Sequence, residues 1–241
     1  MSDINIMRHQ SIFDSDEHNP PIHIIGVGAT GSRVWLSLVE LGLTNIHVYD
    51  FDKVEPHNLA NQVYMARDVG RPKVHGLARY YQDKTGAPAP EDMGFHNMRV
   101  SSETGFNYKQ FSGIVFLMTD TMASRRNIYD SIIADQGLDA GQKVFLMIET
   151  RMASSYGNVF THNPFDPAQA SAWKATLVDD DAESTEVSPC GTSISVGPTA
   201  NTIANIAVWQ MINFFTDPLA EAQVINLYMK PTIFTQQGLL S

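Results

Sequence analysis

From His23 to Asp52 the chain reads HIIGVGATGSRVWLSLVELGLTNIHVYDFD, and few folds accept such a run. The apolar stretch His23-Ile24-Ile25 leads into Gly26-x-Gly28-x-x-Gly31, then a helix-like segment, then a second apolar stretch from Ile46 to Tyr49 that ends in Asp50. Strand, glycine turn, helix, strand and acid in that order predict a mononucleotide-binding βαβ unit. Gly26 permits the tight turn. Gly28 and the small Ala29 let backbone N–H groups approach a phosphate, and Gly31 lets the helix pack close on the strand. The helix start adds unpaired N–H groups and the positive end of its dipole. Asp50 stands 19 residues beyond Gly31, where a carboxylate can accept from ribose hydroxyls.

The remainder of the 241 residues extends this unit into an α/β sheet that is largely parallel at its start. Residues 1–21 form an irregular arm closed by Pro20-Pro21. In the first helix Val34, Leu38 and Leu41 make one apolar stripe, and Gly42 stops it. A second helix is expected from Lys73 to Gln82, a strand over Asn97–Val100, a buried strand over Gly113–Met118 and a helix from Met122 to about Ala134. Buried strands follow over Lys143–Ile148 and Gly157–Thr161. Residues 163–198 carry few apolar side chains and are too long for an ordinary connection, so they are expected to form a crossover loop or flap. A helix striped by Ala204, Val208, Met211 and Phe215 follows, with a last strand over Val224–Met229. The expected architecture is one domain over 1–241: a Rossmann-like, mostly parallel twisted sheet, helices on both faces, and the long crossover.

The net charge of −10 opposes binding to nucleic acid and to anionic membrane. The longest apolar-rich segment, Ile203–Phe215, contains Asn205, Gln210 and Asn213 and is too short and polar to span a bilayer. The polar start MSDINIMRHQ lacks the apolar core of a signal peptide, so a cytoplasmic protein is expected. The single cysteine, Cys190, excludes an internal disulfide and a Cys-rich zinc site. His23 and His47 lie in strand-like runs and read as packed residues.

The segment after Asp50 narrows the function. Asp50-Phe51-Asp52, Asn58-Leu59-Ala60-Asn61-Gln62, Asp68-Val69-Gly70-Arg71-Pro72-Lys73-Val74, and a strand ending in Thr119-Asp120 with Arg125 five residues on stand in order over about half the chain. This pattern resembles the ThiF/MoeB superfamily, which includes the ubiquitin-activating enzymes. The resemblance implies ATP-dependent adenylation of a carboxyl group, usually the C-terminus of a ubiquitin-like or sulfur-carrier protein. It also implies a homodimer, and some relatives adenylate a short peptide. The residue types suit the chemistry, because a carboxylate must attack an α-phosphate and both partners are anionic. Lys73 is the cation expected at the phosphates. Asp120 is expected to hold Mg²⁺ through one carboxylate with waters, and Asp120 also reads as a possible helix N-cap. Asp50 is assigned to the ribose, Asn58 and Gln62 act as neutral donors near the phosphates, and Asp52 either joins the site or is a solvated loop acid. The ATP-binding set is therefore Gly26, Gly28, Ala29, Gly31, Asp50, Asp52, Asn58, Asn61, Gln62, Lys73 and Asp120, with Arg125 either supporting the site or pairing with an acid elsewhere.

Four features depart from, or only loosely match, the family pattern. The arginine of its "NLxRQ" element is Asn61 here, which removes a fixed positive charge; Arg67 or Arg71 is a replacement to be tested. That loss also admits a non-catalytic nucleotide-binding scaffold that pairs with an active relative. Arg8-His9-Gln10 resembles, with one inserted residue, an N-terminal "RQ" motif whose arginine reaches across a dimer to the γ-phosphate. The CxxC pairs that hold structural zinc in some relatives are absent. Cys190 falls where some members carry a covalent intermediate, yet Asp179, Asp180, Asp181, Glu183 and Glu186 precede it and disfavour a thiolate, so a nucleophile and an inert thiol are both open. No carrier-binding or ubiquitin-fold domain is seen, so separate partners are expected. An NAD-dependent dehydrogenase would use the same glycine turn but has no need of Lys73 and Asp120.

Overall fold

A computed structural model describes residues 4–104, 111–133, 143–178, 195–217 and 222–240. The chain alternates β1 (Ile22–Ile25), α1 (Gly31–Glu40), β2 (Ile46–Tyr49), α2 (Lys73–Thr85), β3 (Gly94–His96), β4 (Gly113–Leu117), α3 (Met122–Ile128), β5 (Val144–Met152), β6 (Tyr156–His162), α4 (Pro167–Ala175), α5 (Gly197–Thr216), β7 (Gln223–Met229) and β8 (Thr232–Gly238). One eight-stranded sheet results, in the order β3-β2-β1-β4-β5-β6-β7-β8. Pairings from β3 to β5 are parallel, and β6, β7 and β8 join antiparallel. The expected α/β class, the mostly parallel sheet and the helices on both faces are what the structure has.

Burial explains why the parallel half can be covered on both sides. Every residue of β1 and of β4 is buried, as a parallel strand between two helical layers requires. Ile22 and Ile24 face one layer with Val34, Trp35 and Leu38 of α1, Val74 and Leu77 of α2, and Ile203 and Ala207 of α5. Ile25, Val115 and Leu117 face the other, with Ile128 of α3 and Trp173 of α4. The apolar stripe of α1 ends at a glycine in the left-handed region: Gly42 has φ 86°. Its N–H donates to the Val39 carbonyl and that of Leu43 to the Leu38 carbonyl, a Schellman closure.

Several sequence expectations are corrected. The strand expected over Asn97–Val100 lies earlier, at Gly94–His96, where Gly94 pairs with His47 and no side chain would fit between the His47 and His96 rings. The α3 helix stops at Ile128 and passes into a π turn, Tyr129–Ile133. The stretch 163–198 is not all loop: Asp166 caps α4 by accepting from the N–H groups of Ala168 and Gln169, and Trp173 of α4 is fully buried. β7 is not the last strand, because β8 pairs with it along its whole length. His23 is buried, whereas His47 is half-buried and stacks between His23 and His96.

Two buried imidazoles give the fold an acid sensitivity. Burial pulls the pKa of His162 down to about 3, and burial with the neighbouring His47 and His96 pulls His23 to about 3. The unfolded chain takes up these protons near pH 6.5 and the native chain only near 3, so the unfolded state binds more protons between those values. Stability is therefore lost as pH falls, by up to about 1.4 kcal/mol per pH unit for each group. Denaturant midpoints are expected to drop from pH 7 to pH 5, and His162→Gln should flatten that slope. A wild-type profile flat over this range would contradict the assignment.

Candidate nucleotide site

The sheet order jumps from β1 to β4, so the space beyond their carboxyl ends is a topological switch point, where open α/β sheets bind ligands. A cavity of about 300 Å³ opens there. Gly26, Gly28, Asp50, Asp52, Lys73 and Asp120 all line it, so six of the sequence-derived residues converge. Ala29, Gly31, Asn58, Asn61 and Gln62 do not line this cavity. A larger cleft of about 790 Å³ lies at the start of β5, among Phe145, His162, Gln210 and Phe214, with neither a glycine turn nor a carboxylate in its lining.

Close packing dictates the turn. Gly26 has φ 92°, and a Cβ there would sit 2.7 Å from the Met118 carbonyl oxygen. A Cβ on Gly31 would collide with the carbonyl of Gly26 and press on Met118, whereas Gly28 has nothing within 4 Å of that position. Gly26 and Gly31 are thus small for packing, and Gly28 is small beside open space. The two peptide groups that flank Val27 are both pinned: Asp50 Oδ2 accepts from the Val27 N–H at 2.8 Å, and the Tyr64 hydroxyl donates to the Val27 carbonyl at 2.8 Å.

The polar wall of the cavity is built from β2 and the start of α2. Asp50 is buried; burial pushes its pKa up, opposed by the Lys73 ammonium and by N–H donation from Val27 and Asp52. Lys73, the first residue of α2, is also buried, with its ammonium 2.9 Å from Asp52 and 4.0 Å from Asp50. Asp52 is therefore an ion-pair partner of the site lysine. Asp120 is exposed in the loop after β4, and among the described residues no cation pairs with it. Its other expected role is corrected: the cap of α3 is Thr121, whose hydroxyl accepts from the Ser124 N–H at 3.1 Å. Ile25, Met98, Val100, Met118 and Ile128 supply an apolar wall, and Arg99 lies 3.9 Å over the Phe51 ring at the rim. One end is apolar, and the other carries three carboxylates and the Lys73 ammonium.

Other candidates stand elsewhere. The Asn58 side chain accepts from the Glu55 N–H and closes a one-turn helix, Pro56–Ala60. Neither Arg67, which pairs with Asp83, nor Arg71, which is exposed, lines the cavity. Arg125 is buried against Glu149 of β5, with Nε 2.7 Å from Oε1, and does not line the cavity, so of its two readings the structure shows the pairing with an acid. Arg8 sits in the exposed turn that follows Ile6, and Ile6 packs on Gly42 at the far end of α1. Within one chain Arg8 therefore does not reach the cavity. Cys190 and the acids Asp179 to Glu186 lie outside the described residues. Tyr64, Arg33 and Glu149 carry no motif in the sequence that points to the contacts they make.

Fold and cavity together define a Rossmann-like α/β domain with a nucleotide-type glycine turn. The chain belongs to the ThiF family, whose profile matches residues 17–239. Among solved structures it resembles PaaA, with 17% identity and a TM-score of 0.65 over 90% of this chain and 63% of that one. It also resembles Escherichia coli MccB solved with ATP, at 18% identity and a TM-score of 0.68, over 92% of this chain and 64% of that one. A further MccB structure gives 17% identity and 0.68, over 97% and 67%. The chain thus spans just under, or about, two thirds of these proteins, and at such identity the likeness is one of fold. No helix among the described residues is long and apolar enough to cross a membrane.

The glycines give a direct test. Gly28→Ala should fold with stability within about 1 kcal/mol of wild type yet lose nucleotide affinity, because it fills the open space over the turn. Gly31→Ala should cost about 2–3 kcal/mol or more in unfolding free energy through overpacking against Gly26. Calorimetric titration with ATP and thermal melts read both; equal destabilisation by the two would contradict the assignment.

Proposed function

We propose that the chain binds ATP with Mg²⁺ at this cavity and adenylates the C-terminal carboxylate of a small ubiquitin-like or sulfur-carrier protein. The observation that carries the reading is the convergence of Gly28, Asp50, Lys73 and Asp120 at one switch-point cavity, within a chain of the ThiF family. The incoming carboxylate oxygen bonds to the α-phosphorus while the bond from that phosphorus to the bridging oxygen breaks, and pyrophosphate leaves with the electron pair. Lys73 offsets the charge that gathers on the phosphate oxygens, and it can exchange its contact with Asp52 for them. Asp50, already oriented by two N–H groups, keeps lone pairs for ribose hydroxyls. Asp120 fits Mg²⁺, a hard cation commonly held by one or two carboxylates plus phosphate oxygens and water; bound there, it would neutralise charge on the leaving pyrophosphate. Among the described residues no group of three or more His, Cys, Asp or Glu stands ready for a metal, so the donor set suits a metal that arrives with the nucleotide.

A second reading, adenylation of a short peptide, is supported by the fold-likeness to MccB, which has been solved with MccA and an ATP analogue. In either reading a second copy of the chain would bring its own Arg8, and the homodimer belongs to this proposal.

Pyrophosphate exchange into ATP, run with carrier proteins and with short peptides ending in a free carboxylate, tests the activity. Asp120→Ala should abolish exchange with the melting temperature nearly unchanged. Lys73→Ala should lower it by about 2–4 kcal/mol of transition-state stabilisation. Near-normal exchange in either variant would place the chemistry elsewhere. Tighter binding of NAD than of ATP with Mg²⁺ would favour the dehydrogenase reading, and ATP binding without exchange for any acceptor would favour the scaffold.

A further inference from the structure

The loss of the family arginine at Asn61 leaves a question of charge, and the structure places another arginine at that spot. Arg33 stands in the first turn of α1, where a cation faces the positive end of the helix dipole and is disfavoured. Its Nε–H donates to the Asn61 carbonyl at 3.3 Å, and its Nη1 lies 3.5 Å from Asn201 Oδ1 in α5. Its Nη2 lies 3.6 Å from where a Cβ of Gly197 would stand, beside the Ala60 carbonyl. The guanidinium thus bridges the Asn61 segment and the start of α5.

α1 and α5 pack together, and neither Thr30 nor Val196, their N-caps, satisfies first-turn N–H groups through its side chain. Two helix starts therefore meet at one arginine. Arg67, Arg79, Lys84, Arg125, Arg151 and Lys174 each have a carboxylate partner. Arg33 has none among the described residues, only a carbonyl and an amide oxygen. The Ser32 and Ser195 hydroxyls and the Asn61 and Gln62 amide oxygens, all enclosed in these same segments, have no hydrogen-bond partner. Hydroxyls can donate to an anion, and an amide can turn its NH₂ end to one. A buried polar group without a partner is costly, so four in the same segments mark ground left for a polar ligand.

We infer that Arg33 supplies the positive charge that Asn61 lacks, and that the terminal phosphates of the nucleotide lie between the starts of α1 and α5 against its guanidinium. This rests on the ATP reading of the site. It assigns a phosphate contact to a residue outside the family motifs, and it accounts for a cation kept at a helix N-terminus with no counter-ion. The planar fork of Arg33 can address two phosphate oxygens at once.

The test is calorimetric titration of the full chain with ATP, AMP and inorganic triphosphate, each with Mg²⁺. Arg33→Gln, which keeps a polar side chain without the charge, should weaken ATP and triphosphate about ten- to a hundredfold, the worth of a charged hydrogen bond, and leave AMP within about twofold. Asn61→Arg added to Arg33→Gln should restore most of the ATP affinity. Arg67→Gln should change none of the three. Unchanged ATP affinity in Arg33→Gln, or an equal loss for AMP, overturns the inference while the adenylation reading stands. Wild-type protein that binds triphosphate in an Arg33-dependent way but not ATP overturns the nucleotide reading and keeps the anion site. No binding of either overturns both.

Discussion

The site depends on one steric constraint: α1 must begin against the end of β4 with no side chain between them. The Met118 carbonyl lies 2.7 Å from where a Cβ of Gly26 would be, and the Gly26 carbonyl fills the place of a Cβ on Gly31. Only glycines let the chain leave β1, turn and start a helix in that gap. Once it does so, the first turn of α1 points over the carboxyl end of the sheet, and Asp50 on the adjacent β2 is close enough to hold the Val27 N–H. Tyr64 holds the carbonyl of the same residue, and Gly76 of α2 gives the Tyr64 ring its room, since a Cβ there would stand 2.9 Å from it. The turn is thus fixed by residues from β2, α2 and the segment between them, which is what preorganisation of an anion site requires.

Charge is distributed with the same economy. On one side of the sheet Glu149, fully buried, is gripped by Arg125, by Arg151 at 2.9 Å and by the Trp173 indole N–H at 3.1 Å. Arg151 continues to Thr176, and Arg126 to the Leu177 carbonyl, so this cluster fastens α3 and α4 to β5. Taking away both Arg125 and Arg151 would leave a buried carboxylate without a counter-charge, at a cost of about 3–5 kcal/mol or more. These arginines are committed to the fold. Other cations are held more loosely: at the cavity Lys73 contacts a half-exposed Asp52, with Asp50 at 4.0 Å, and at the start of α1 Arg33 contacts only neutral oxygens. An anionic ligand can displace such contacts at little cost.

What was legible in the sequence follows from where the signal resides. The βαβ unit, α2 and β4 declare themselves because glycines, stripes and apolar runs are local, and the pocket lysine and acids follow from spacing along that framework. α4 escaped because its burial rests on Ala170 and Trp173 alone within a polar stretch. β8 escaped because every one of its residues is exposed, so its position shows in its pairing with β7 and not in an apolar pattern. β3 was displaced because it has three residues and begins with Gly94, whose role is to leave room for two histidine rings. Glu149, the partner of Arg125, comes 24 residues later in the chain, and Asn61 and Asn201, the neighbours of Arg33, come from two separate segments. Pairings set by tertiary packing leave no local pattern.

The two arginines near the ends of α1 raise different requirements for a working site. Arg33 lies at the end that faces the cavity, and its contacts belong to the same chain. Arg8 lies with the N-terminal arm about 15 Å away, a ten-residue helix at 1.5 Å per residue, out of reach of its own chain's cavity. If Arg33 meets the terminal phosphates, one chain already offers Lys73, Arg33 and two helix starts to the nucleotide, and binding has no need of a partner. An arginine delivered in trans would then act on the reaction more than on capture, because a ground-state contact from Arg33 would already be present in the single chain. Replacing a motif arginine at position 61 with one from α1 thus moves the charge without removing it.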